Sequence, residues 1–352
     1  MRPCADPPIS CRRASCPPRS SDGERPPLTQ SAPLSPPQPA PGFRINRHRR
    51  LAWWGSLLAC ALSLLGLALS WTNPAIHSPL RPGLDFTGGT QIQLQRVCDT
   101  ACPPLTVSEL QRQLAAVALP PDPGAAAPNL SSSTVQVLDG GRSLLLRVPA
   151  LSPAQGQALI AGLQPALGPF SARGTSVQTI GPTLGSRLLQ SSLISLLVSF
   201  AAIALYISFR YSGLFAALAL LCLAHDVLLT CGLFAWLGLL RGVEVDSLFA
   251  VALITVAGYS VTDTVVVFDR IREQKTALAA LSLTDQVDVA VDATLTRSLY
   301  TSLTTLLPLL GLIFFGGSSL FWFAIALAVG IAVGSWSSIG LAPTLLPVLS
   351  RS

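Results

Sequence analysis

The sequence predicts a polytopic α-helical membrane protein, with six transmembrane helices and one extracytoplasmic α+β domain. Three observations carry this. Half of the 352 residues are hydrophobic, only 11% are charged and the mean hydropathy is +0.54, a composition that a water-soluble chain of this length rarely shows. Six apolar stretches, at 51–71, 188–209, 213–240, 248–268, 299–315 and 320–341, match the roughly 20 residues that cross about 30 Å of hydrocarbon as a helix. They are apolar on nearly every face, as membrane spans are. Between the first two, residues 72–187 switch to the short alternating patterns of a folded domain.

Ahead of the first span, the first 41 residues hold twelve prolines together with Cys4, Cys11 and Cys16. Such a composition builds no packed core, so residues 1–43 are expected to form a disordered Pro-rich cytoplasmic leader. The three cysteines have no matching His or second Cys pair, and no metal site is expected. Arg44, Arg47, Arg49 and Arg50 precede the span at 51–71. That span is longer than a cleavable signal core, which favours an uncleaved anchor, and the basic cluster puts its amino end in the cytoplasm. Six crossings then bring the carboxyl end back to the same side. Arg210 and the Arg270, Arg272, Lys275 group fall inside on this reading, and the loops RGVEVDS and GGSS fall outside.

Within 72–187, GTQIQLQRV alternates as a strand, TVSELQRQLAAVAL is helical, STVQVLD and RSLLLRVP are strands, SPAQGQALIAGLQPAL is a second helix and TSVQTIG a last strand. Strand, helix, strand, strand, helix, strand is the ferredoxin-like split order. Cys98 and Cys102 lie on the oxidising side, where both a local disulfide across CDTAC and two free thiols are open. The run RPGLDFTGGT places Asp85, Gly88 and Gly89 just beyond the first span, and its plain reading is a turn anchoring the domain to the membrane. Gly181, Pro182 and Gly185 in IGPTLGS make a break or hinge before the region 188–349, which holds the other five helices.

Few polar residues enter the spans. His225 and Asp226 fall in the third, Thr262, Asp263 and Thr264 in the fourth, and Arg297 at the start of the fifth. Desolvation pushes an unpaired carboxylate toward its protonated form and a nearby Arg pulls it back, so Asp263 with Arg297 has the physical requirements of a proton relay. His225, Asp226, Thr262 and Thr264 are candidate supporting groups. A fixed strut holding helices together is the competing reading. Asp285, Asp288 and Asp292 recur at helical spacing and make one acidic face. No GxxxxGK[ST] run and no HExxH pair occurs in the sequence. The chain is therefore read as a non-enzyme without cofactor or catalytic metal, and its +6 charge reflects the basic leader and membrane orientation, not nucleic acid.

LDFTGGT, IGPTLGS, LAHDV, AGYSVTDTVVVFDRIREQ, TRSLYTSLTTLLPLL and VGIAVGSWSSIG, in that order, resemble the bacterial protein-export membrane proteins of the SecF family. The resemblance covers residues 83 to about 349. It implies six spans, a periplasmic ferredoxin-like domain and kinship with proton-driven exporters of the resistance-nodulation-division type. It also implies a multi-pass protein of the cell inner membrane, with internal membranes left open. Its implied partners are SecD, the SecYEG translocon, SecA, YajC and YidC, with translocating polypeptides as substrate and membrane lipid around it. Asp263 and Arg297 stand at the family's proton-transfer positions. Thr262 stands where the family usually has Asn, which keeps a hydroxyl but loses an amide donor. A proton-coupled exporter of small molecules or lipids, and a non-transporting translocon scaffold, are the alternatives.

Overall fold

A computed structural model describes residues 42–74, 76–98, 102–121, 128–130 and 133–350. The leader expected at 1–43 therefore lies, but for its last two residues, outside the described residues. Among the described residues, six helices are long and apolar enough to cross a membrane. After a 3-10 turn at Ile45–His48, the first is α1 (Arg49–Thr72), followed, beyond the intervening domain, by α5 (Pro182–Arg210), α6 (Gly213–Arg241), α7 (Ser247–Gln274) and α8 (Leu283–Phe315). The last crossing is compound: α9 (Gly317–Trp336), a π-helical turn at Ser337–Leu341 and α10 (Ala342–Leu349). Pro343 has no amide to bond the carbonyl of Ile339 one turn back. That missing bond is a local reason for the ladder to loosen at the turn.

α1 packs on α6 through small side chains. Ser56, Ser63, Gly66 and Ser70 are buried on one stripe of α1. A Cβ on Gly232 of α6 would collide with that of Ser63, so the two backbones approach as closely as small residues allow. By contrast, the apolar stretches of α5 and α8 bury little of their surface within the chain. α8 is longer than the apolar stretch at 299–315 suggests. Ser282 caps it, its hydroxyl accepting from the Asp285 amide at 3.2 Å, and its polar first four turns continue unbroken into the span.

The domain between α1 and α5 opens with a single turn, α2 (Leu84–Thr87), and continues as β1 (Gly89–Gln95), α3 (Val107–Ala116), β2 (Thr134–Leu138), β3 (Ser143–Val148), α4 (Pro153–Leu167) and β4 (Ser176–Ile180). The strands form one antiparallel sheet in the order β2-β3-β1-β4. Alternation explains its sidedness. Thr90, Ile92 and Leu94 point into the core, while Gln91, Gln93 and Gln95 do not. Ile92, Leu94, Leu144 and Leu146 from the sheet meet Leu110 and Leu114 of α3 and Leu159 and Leu163 of α4 in a closed apolar core. Each such side chain contributes roughly 1.5–3 kcal/mol by burial. Ser152 and Gln155 close a capping box at the start of α4. Cys98 and Cys102 are joined in a disulfide, which settles the alternative left open by the sequence.

Candidate functional site

Two buried carboxylates sit among the spans, and hydroxyl groups surround both. Asp263, near the middle of α7, is 7% exposed. Its Oδ1 accepts from the Ser298 hydroxyl of α8 at 2.8 Å, and its Oδ2 accepts from the Ser338 hydroxyl of the π-helical turn. Asp226, on α6, is fully buried. His225 Nδ1 lies 2.8 Å from its Oδ1, and Oδ2 accepts from Ser260 of α7 and, at 2.7 Å, from Ser337. The π turn thus supplies adjacent serines to different aspartates. A regular α-helix also separates neighbouring side chains by about 100°, but the wider turn sits where three helices converge, a placement typical of functional π segments.

Arg297 is not brought to Asp263 in this conformation. It lies one residue before Ser298 but on the exposed face of α8, and its guanidinium makes no ion pair or hydrogen bond among the described residues. Thr262 is also exposed and bonds the Gly258 carbonyl of its own helix at 2.8 Å. Among the described residues, neither the buried Thr264 hydroxyl nor His225 Nε2 has a partner. A second hydroxyl group, one turn from the Asp263 site, joins Ser302 of α8 to Ser335 of α9 at 2.5 Å, with Tyr259 donating to Ser302 at 2.9 Å. Sequence reasoning passed over Ser260, Ser298, Ser337 and Ser338, because a serine in an apolar helix ordinarily reads as a small packing residue. The run SWSS at 335–338 was the available signal.

The extracytoplasmic candidates converge on the loop between α6 and α7. Asp85 Oδ2 accepts from the amide of Ser247 at 3.0 Å and from its hydroxyl, so the carboxylate binds the first turn of α7, the end where a helix dipole favours negative charge. Gly83 donates to the Val245 carbonyl at 2.7 Å and Val245 donates to the Arg81 carbonyl at 2.9 Å. Gly88 and Gly89 have φ of +70° and +122°, backbone shapes that suit glycine. Gly181 caps α5, Pro182 begins it, and Gly185 presses against the Gly88 amide. Glu244 completes the junction, paired with Arg147 of β3 and, at 3.5 Å, with Arg81. Burial, with repulsion from Arg81, lowers the Arg147 guanidinium to about 10, since both effects disfavour its charged form.

Comparison with known proteins gives this arrangement a setting. Residues 164–352 match the family described as protein export membrane protein SecD/SecF, C-terminal, and residues 76–99 match the SecD/SecF GG motif. The chain is 53% identical over 304 residues to protein translocase subunit SecF of Prochlorococcus marinus, covering 86% of this chain and 94% of that one. It is 41% identical to the SecF of Synechocystis, covering 86% of this chain and 92% of that one. The crystal structure of SecDF from Thermus thermophilus, described as a translocon-associated membrane protein, superposes with a TM-score of 0.72 at 30% identity. That match covers 91% of this chain but only 40% of the longer SecDF chain. The GG motif falls on the glycines that join the sheet domain to the membrane, and the C-terminal match takes in both buried aspartates. On these grounds the chain belongs to the SecD/SecF family of protein export membrane proteins.

Proposed function

We propose that this chain is the SecF subunit of a SecDF complex, using the proton-motive force to assist SecYEG- and SecA-dependent movement of polypeptides across the cell inner membrane. The observation that carries the proposal is Asp263: a carboxylate buried among spans, held by two serine hydroxyls and, among the described residues, by no cation. Hydroxyls can both donate and accept, so the same cradle accommodates the charged and the protonated form. A permanent ion pair would favour the charged form alone. Arg297 acts on this site in another stage of the cycle, reached by rotation of α8. Thr262 and Thr264 line its approach.

SecD is the expected partner, presenting the other half of the helix assembly to the little-buried faces of α5 and α8. YajC and YidC are further associates in this reading. The sheet domain, with its βαββαβ order and β2-β3-β1-β4 sheet, supports a ferredoxin-like assignment. We divide the chain accordingly into the leader 1–43, the first span, the domain 72–187 and the five-helix region 188–349. Glycine and proline at Gly88, Gly89, Gly181, Pro182 and Gly185 are the points about which the domain moves, and energy comes from the ion gradient without nucleotide hydrolysis.

The test is export into vesicles with and without an imposed proton gradient, with recovery of the complex measured in parallel. Asp263→Asn is expected to assemble and to lose the gradient-dependent gain. A variant that assembles and keeps the full gain reduces Asp263 to a structural strut and replaces this reading with the scaffold one.

A further inference from the structure

We infer that the His225–Asp226 pair is a second proton-carrying unit, coupled to Asp263 through the consecutive hydroxyls of Ser337 and Ser338. This rests on the proton-coupled reading of Asp263. Two independent features support it. Asp226 is fully buried, yet it is held by an imidazole and two hydroxyls in place of a cation from another helix. In addition, His225 is a buried imidazole with one nitrogen committed to that carboxylate and the other, Nε2, without a partner among the described residues. A histidine serving only as a strut needs just the first bond. An unpartnered ring nitrogen inside the bundle costs free energy in a fixed structure, and it is also the atom through which an imidazole takes up a proton.

The transfer balances simply. With neutral His225 donating its Nδ1 proton to the Asp226 carboxylate, the pair carries one negative charge. A proton arriving at Nε2 makes the imidazolium, whose Nδ1 proton then passes to Asp226. The pair is left as neutral imidazole and carboxylic acid, having taken up one proton and changed from negative to neutral. The groups around Asp226 are Ser260 from α7, Ser337 from the π turn, Gly334 from α9 and the thiols of Cys222 on its own helix and Cys60 on α1. None of these is cationic. Around Asp263 stand Ser298 and Ser338.

The coupling lies in the π turn. The single Ser337 hydroxyl proton has two acceptors in reach, the Asp226 carboxylate and, at 3.0 Å, the Gly334 carbonyl, and that of Ser338 has the Asp263 carboxylate and, at 3.1 Å, the Ser335 carbonyl. A carboxylate that gains a proton needs its neighbour's hydroxyl less as a donor, so each serine can turn toward its own backbone. Because the two serines share one peptide bond in a loosened turn, displacement of one alters the position of the other. Protonation of either aspartate then changes the proton affinity of its counterpart.

The experiment is pH-titrated infrared difference spectroscopy of the whole protein in lipid nanodiscs, following the protonated-carboxyl band. Asp226→Asn is expected to remove one titrating band and Asp263→Asn a different one. Ser337→Ala and Ser338→Ala keep both carboxyls and are expected to move both midpoints, by about one pH unit, or tenfold in proton affinity. If Asp226→Asn removes no titrating band, or if each serine variant shifts only the aspartate it touches, the inference is overturned. Should Asp226→Asn fail to fold, His225→Gln carries the test. It must shift the transition that Asp263→Asn leaves in place, and an unmoved midpoint overturns the pairing. Loss of no band in Asp263→Asn is a separate outcome and overturns the relay reading of Asp263 itself.

Discussion

A Cβ placed on Gly185 would stand 2.9 Å from the amide nitrogen of Gly88. Nearly a hundred residues separate the two, yet they meet in the seam between the α2 turn and the foot of α5. Gly185→Ala is therefore expected to destabilise the protein by about 1–3 kcal/mol, because backbone must shift to admit the methyl group. Gly88→Ala costs more: its φ is +70° and its Cβ would meet Pro182 Cα at 2.8 Å. Gly181 has open space around it and φ of −65°, so Gly181→Ala should stay within about 0.5 kcal/mol of wild type. Thermal unfolding of the three variants in one detergent checks the order, and equal effects would show that the seam is loose.

At Arg297 the expected outcomes separate charge from shape. Arg297→Lys preserves charge but loses the planar fork, and should retain more gradient-dependent export than Arg297→Ala. Since the guanidinium holds no ion pair among the described residues, neither change should lower the unfolding temperature by more than surface substitutions do. A large loss of stability in Arg297→Ala would mean that the side chain packs inside the bundle in the prevailing state.

Asp246 caps α7, its Oδ1 accepting from the Phe249 amide at 3.0 Å. Burial lifts its carboxyl above the ordinary 3.8, and the nearby Asp85 carboxylate adds to the lift against the helix amides that oppose it. The folded state thus holds this proton more tightly than the unfolded chain. The contribution to stability is full below pH 3.8 and is lost as pH rises through the lifted value. Asp246→Asn keeps a capping oxygen without the charge. Its unfolding midpoint relative to wild type should be highest at neutral pH and should fall as pH drops through that window. A difference that does not vary with pH would contradict the shift.

The Cys98–Cys102 disulfide closes a loop of sequence separation 4. Chain-entropy arguments give so short a loop about 2 kcal/mol. Cys98→Ser with Cys102→Ser should lower the stability of the sheet domain by about that amount and leave the membrane helices unaffected. Hydrogen exchange at β1 and α4 against α6 and α7 distinguishes a local effect from a global one.

Hydropathy located the spans and short-range periodicity the order of elements in the sheet domain, because the sequence carries both signals openly. The ends were harder where polarity and helicity part company. α8 begins at Leu283, far ahead of the apolar stretch at 299–315, since Asp285, Asp288 and Asp292 end hydrophobicity without ending the helix. The charges of the site were legible for the opposite reason: Asp226 and Asp263 stand out against apolar neighbours. Their partners were not. Ser298 and Ser338 reach one carboxylate from two helices distant in sequence, and no local pattern encodes that meeting. Two carboxylates of the acidic face on α8 bind the chain's own segment ahead of α1. Asp292 accepts from the amides of Gly42 and Phe43, and Asp288 from the amide and side chain of Asn46.

That clamp gives α8 the character of a lever. Asp288 and Ser298 lie on the same helix with no proline between them, ten residues and thus roughly 15 Å apart along its axis. One end grips the approach to the first span, and the other touches the buried carboxylate of α7. A rod cannot twist at one point and stay still at another, so any turn of α8 that changes how Ser298 meets Asp263 must tug on Asn46. The surroundings of Asp263 are thereby tethered to the segment that leads this chain into its first span.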